Sequence, residues 1–281
     1  IGSRNLTHAM NWDAGLILTS CADGRGQSVD GLAALGAALA GRAKLATLNA
    51  DDVASELAAL TWECPPGCKV QKISLFGPDL ARGFPKPPRD TEHVLVVSPF
   101  LDSNSVRAVA SWGNQKTRRT LVSTALELQR LWQDNGGVFS EFSNVCVLPF
   151  PELAVEGVDL FDEEASGAME TAESEDLPPA GLHAKLYFAA KGARRQFWIG
   201  SANATERGWA GRNYEVVADL LIGPDVASAL KNFVSDCQQF KPSVVPVGIN
   251  GDEHAIEQAR MLLSSGWSRT LRQQVGESEV E

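Results

Sequence analysis

A seven-residue pattern occurs twice in this chain, and the repeat constrains the fold more than any other feature of the sequence. Ile1-Gly2-Ser3-Arg4-Asn5-Leu6-Thr7 returns about 198 residues later as Ile199-Gly200-Ser201-Ala202-Asn203-Ala204-Thr205, with five of the seven positions identical. After each copy come an asparagine, a large aromatic residue and a carboxylate, Asn11-Trp12-Asp13 in one case and Asn213-Tyr214-Glu215 in the other, each running into an apolar stretch. A structural turn has no reason to recur with the same residues and the same downstream triplet. Recurrence at this distance points to two homologous lobes built on one ancestral module.

Ahead of the second copy stands His183-Ala184-Lys185. The ensemble of His-x-Lys, Gly-Ser-x-Asn and then Asp or Glu resembles the phospholipase D superfamily. That resemblance implies a two-lobed phosphodiesterase in which each lobe supplies His, Lys and Asn and the two sets meet at the lobe interface. Carried over position by position, it implies catalytic roles for His183, Lys185, Asn203, Glu215 and Asn5, and substrate contacts for Ser201, Ser3 and Asp13. It also implies a phosphohistidine intermediate, with the first-lobe histidine as nucleophile and His183 as the acid that protonates the leaving oxygen. The repeat offset places the first-lobe His-x-Lys before Ile1, so the chain reads as a fragment whose first lobe is N-terminally incomplete. A homodimer pairing two copies of His183 is the alternative arrangement. The acidic residue that often follows the lysine by five positions is Ala190 here, which moves the resemblance from lipid-type members towards tyrosyl-DNA phosphodiesterase and certain nucleases.

The residue types suit the chemistry. A phosphodiester is an anionic, poor electrophile, so its attacker is best uncharged, and neutral imidazole meets that need while a second histidine can protonate the departing oxygen. Charge growing on the non-bridging oxygens is best met by preorganised donors, here a lysine ammonium and asparagine amides. Two residues apart on an extended strand, His183 and Lys185 are expected to project from one face. Gly200 lets the backbone approach a ligand, and Ser201 with Asn203 can bond the phosphate or the opening turn of the following helix. Glu215 is expected to accept from a histidine ring nitrogen and fix its tautomer. This chemistry calls for no metal and no other cofactor.

Net charge is -10 over 281 residues, which by itself argues against a nucleic-acid partner. Ten of the 35 acidic residues fall between Glu152 and Asp176, where no Lys or Arg occurs, so the remainder is formally neutral with 25 basic residues. Poor in aromatics, this stretch reads as a solvated, disordered insertion in the second lobe. Basic residues cluster at Lys116, Arg118 and Arg119 and again at Lys191, Arg194 and Arg195. The five cysteines, odd in number and scattered, suit reduced thiols in a cytoplasm. Cys64-Pro65-Pro66-Gly67-Cys68 reads as a turn rather than as half of a four-ligand zinc site. No apolar run approaches the roughly 20 residues of a spanning helix.

Periodicity gives strands at 12–19, 69–76, 94–97, 120–123, 144–148 and 214–222, a hairpin carrying the two motifs, and helices at 32–43, 51–60, 105–112, 126–133, 226–240 and 254–274. The expected fold is therefore α/β, with two lobes of mixed, largely parallel sheet flanked by helices. Residues 1–90 would hold the remainder of the first lobe and a linker. Residues 91–281 would form the second lobe, with the insertion at 152–176. The functional expectation is phosphodiester hydrolysis on DNA or RNA. A non-catalytic phosphate or nucleic-acid binder, or a phospholipid phosphodiesterase, is the alternative.

Overall fold

A computed structural model describes residues 11–21, 26–43, 47–80, 83, 85–148 and 181–243. Ser3, Asn5, the insertion at 152–176 and the helix expected at 254–274 lie outside the described residues. In chain order the elements are β1 (Asn11–Trp12), β2 (Thr19–Cys21), α1 (Leu32–Ala43), α2 (Ala50–Ala59), β3 (Thr61–Glu63), β4 (Cys68–Phe76), β5 (His93–Val97), α3 (Ser103–Ala110) and β6 (Arg118–Ser123). They continue with α4 (Ala125–Asn135), β7 (Asn144–Val147), β8 (Gly181–Leu182), β9 (Leu186–Lys191), β10 (Arg194–Gly200), α5 (Glu206–Trp209), β11 (Glu215–Ile222), α6 (Pro224–Asp236) and β12 (Gln238–Gln239).

Eight strands form one mixed sheet in the order β12-β7-β6-β5-β9-β10-β11-β4. Its parallel part is confined to β5, β6 and β7, and every other neighbouring pair is antiparallel. The expectation of a largely parallel sheet is corrected accordingly. The local cause is the two-residue turn at Gly192, whose φ of 52° is left-handed; it folds β10 straight back on β9 in place of a crossover. The sheet takes strands from both sides of residue 90, since β4 pairs along its length with β11.

Both faces of the sheet are covered. Val94 and Val96 of β5 face a core with Val106 and Val109 of α3, Leu128 and Leu131 of α4, Trp112, Trp198 and Trp209. Leu95 and Val97 face the opposite core, with Leu35 of α1, Phe188, Ile199 and partly buried side chains of α6. A strand buried on both faces reads as a continuous apolar run, which is why β5 is plain in the sequence.

Helix starts follow their caps. Asn49 accepts from the Asp51 amide at 2.8 Å to open α2, and Pro224, whose missing N–H costs nothing in a first turn, opens α6. Two expectations fail. The strand expected at 12–19 is only Asn11–Trp12, paired in parallel with β8, followed by a separate β2 against β3. The helix expected to reach Phe240 ends at Asp236, because Gln238–Gln239 pair with β7.

The approach of β10 to β11 depends on one missing side chain. A Cβ at Gly200 would stand 2.0 Å from the Val216 carbonyl oxygen. Gly200→Ala is expected to lower stability by about 3 kcal/mol, since backbone rather than a flexible side chain must yield. The urea midpoint of the variant checks this, and an unchanged midpoint would show that the strands can part at no cost.

Candidate active site

Strands β5, β9, β10 and β11 bring the motif residues to one end of the sheet. β10 ends there at Gly200, β11 begins there at Glu215, and β9 begins there at Leu186, paired with Val97 at the end of β5. His183 and Lys185 do not sit on a strand, as their i, i+2 spacing suggests; they occupy the connection between β8 and β9. What holds this connection is the triplet that follows the first copy of the repeat: the Trp12 carbonyl accepts from the amides of both His183, at 3.0 Å, and Ala184, at 2.9 Å.

The next residue reaches the imidazole. Asp13 Oδ1 lies 2.9 Å from His183 Nδ1. The carboxylate favours a proton on Nδ1 and leaves Nε2 for a ligand, in an imidazole 18% exposed. Expected on the substrate side, Asp13 instead takes the place foreseen for Glu215. Glu215 accepts from the Ser201 hydroxyl in a short hydrogen bond and from Asn213 Nδ2 at 3.4 Å. Ser201 Oγ in turn accepts from the Val216 amide at 3.0 Å, so the serine serves to join the Gly-Ser turn to β11.

Lys185 is 3% exposed, and its ammonium donates to the His183 carbonyl. Burial pushes its pKa down to about 8, against the opposing pull of the Asp13 and Glu215 carboxylates. Burial likewise raises the Glu215 carboxyl, opposed by its hydrogen bonds from Ser201 and Asn213 and by the charge of Lys185. The buried ammonium of Lys185 is thus held between the carboxylates of Asp13 and Glu215, which offset part of its desolvation.

Asn203 sits in the turn beyond Gly200. Its Oδ1 is buried and has no hydrogen-bond partner among the described residues, while its backbone carbonyl accepts from the Thr205 amide at 2.8 Å. Thr205, not Ser201 or Asn203, caps the short α5 by accepting from Gly208.

Several supports of this turn escaped the sequence reading. Ser98, fully buried at the end of β5, accepts from the Ala204 amide at 2.9 Å and donates to the Phe100 carbonyl at 2.7 Å. Asp102 caps α3 through the Ser105 amide at 2.7 Å, and its other oxygen accepts from the Glu206 amide in a short bond. Beneath the turn, Tyr187 donates its hydroxyl to the Ala202 carbonyl and receives Trp209 Nε1, both at 3.0 Å. The Asp102-Ser103 helix start carries a cap signature. Its second bond, across more than a hundred residues, carries none.

Among the described residues no group of three or more His, Cys, Asp or Glu is placed to hold a metal ion. No helix among them is long and apolar enough to cross a membrane.

The fold is a mixed α/β sheet flanked by helices, with the motif residues gathered at one end of it. Among solved structures the chain is similar to NucT from Helicobacter pylori, at 16% identity over 53% of this chain and 82% of that one, with a TM-score of 0.35. It is also similar to yeast tyrosyl-DNA phosphodiesterase, at 10% identity over 62% of this chain and 42% of that one, with a TM-score of 0.34. The chain thus spans less than half of the yeast enzyme. No family profile and no curated protein matches the sequence.

Proposed function

We propose that this chain carries the second half of a phosphodiesterase site that acts on nucleic acid. The observation that carries the reading is the 2.9 Å contact between Asp13 and His183. The carboxylate that follows one copy of the repeat orients the histidine that precedes the other, as a shared two-module site requires. By the same symmetry Glu215, buried and bonded to Ser201, would face the corresponding histidine of the first module.

In this reading the first-module imidazole attacks phosphorus and the bond to the leaving oxygen breaks. His183 gives that oxygen a proton from Nε2 while Asp13 balances the charge on the ring. Neutral His183 then takes a proton from water, the water oxygen attacks the phosphohistidine, and the phosphomonoester departs with the first imidazole restored. Lys185 and Asn203 would bear the charge on the non-bridging oxygens. Nucleic acid is favoured over lipid by Ala190 in place of an acidic residue, and the charge pattern, formally neutral outside 152–176, does not oppose it.

Asp13→Ala tests the reading in the full protein with single-stranded DNA and EDTA present. Turnover should fall about 100- to 1,000-fold with KM little changed, since Asp13 acts through the histidine rather than on the substrate. A wild-type protein without EDTA-resistant hydrolysis, or an Asp13→Ala variant of full activity, would overturn the proposal.

A further inference from the structure

The same end of the sheet presents an aromatic ring that the chemistry above does not use. Tyr214 directly precedes Glu215, and it is 52% exposed. Two distant parts of the chain nevertheless fix it. The guanidinium of Arg42, in the last turn of α1, lies 4.1 Å from the ring centroid. Asp79, just beyond β4, accepts from the Tyr214 hydroxyl at 3.1 Å and from Arg42 at 3.2 Å. Gly77 closes the arrangement, since a Cβ there would come within 2.5 Å of the ring.

A large apolar ring left more than half open gains little from its own fold, and a side chain that served only packing would need no such anchoring. Held by a hydroxyl bond and a cation, the ring has little rotamer freedom left to lose when a flat ligand covers it. With the guanidinium over one face, the exposed remainder of the ring can meet the π-face of a nucleobase whatever its sequence. Position makes the match specific. Tyr214 immediately precedes Glu215, the first residue of β11, at the strand end where the site residues gather.

Building on the nucleic-acid reading, we propose that Tyr214, held by Arg42 and Asp79, is a stacking subsite for the base of a nucleotide next to the scissile phosphate. The subsite accepts any base and is indifferent to lipid headgroups, which have no aromatic face.

The test is equilibrium binding of the full protein to a hydrolysis-resistant phosphorothioate tetrathymidylate and to its abasic counterpart, followed by fluorescence anisotropy. Wild type should bind the base-bearing strand about tenfold tighter, within the range that one stacked base supplies. Tyr214→Ala should abolish that difference, and Tyr214→Trp should keep it. Equal binding of both strands by wild type, or a difference that persists in Tyr214→Ala, would overturn the subsite while leaving the phosphate site standing. Binding of neither strand would overturn the nucleic-acid reading, and the subsite with it.

Discussion

His183→Ala should suppress hydrolysis of a phosphodiester with an alkoxide leaving group by about 100- to 10,000-fold, the range of a lost general acid. Bis(p-nitrophenyl) phosphate should behave differently in the same variant, because p-nitrophenolate departs without a proton. Its first release should survive as a burst that matches the enzyme concentration, followed by slow turnover, since the second step still needs His183 to activate water. Stopped-flow release of p-nitrophenolate in the full protein reads both phases. Loss of the burst together with turnover would make His183 the nucleophile. An unimpaired variant would reduce the Asp13–His183 pair, 2.9 Å apart, to a structural contact.

Lys185→Met should separate function from stability. Removing the ammonium should lower kcat about 100- to 1,000-fold, as losing one preorganised donor to the phosphate does. In wild type, kcat/KM should decline above pH 8, where free Lys185, held down to about 8 by burial, loses its proton. A diester stays a monoanion across that range, so the limb belongs to the protein, and Lys185→Met should lack it. Stability should move the other way. Below pH 8 the folded state carries a buried charge that the unfolded state would hold in water, a cost on the order of 3 kcal/mol. Between pH 8 and 10.5 the folded chain binds fewer protons than the unfolded one, so stability recovers as pH rises through that window. Lys185→Met is therefore expected to raise the urea midpoint at pH 7 and to flatten its rise towards pH 10. A lower midpoint at pH 7 would mean that the bond from Lys185 to the His183 carbonyl outweighs the desolvation.

Elements with a local cause are legible in the sequence. The Ala-rich amphipathic spacing places α1 at Leu32–Ala43 to the residue, and either Asn49 or Asp51 could cap α2, of which the structure uses Asn49. The doubly buried β5 stands out as an apolar run. β3 is not legible, because Thr61–Glu63 has three residues and becomes a strand only against β2. The stretch from Trp12 to Thr19 looks like a strand by composition. Its two ends pair with different strands, Trp12 with β8 and Thr19 with β3, and Ile17 between them is exposed.

By itself, the sequence determined the mixed α/β class and the residue types of the site, because the repeat and both motifs are short-range patterns whose chemistry follows from their side chains. Tertiary structure alone decided which carboxylate serves which group. Asp13 and His183 lie 170 positions apart, and no propensity or spacing records a contact made when β1 docks beside β8. The same holds for Ser98 and Asp102 under the Asn203 turn, and for the burial that lowers Lys185. These depend on where the strand ends converge, and convergence follows from the order β5-β9-β10-β11 across the sheet rather than from the order along the chain.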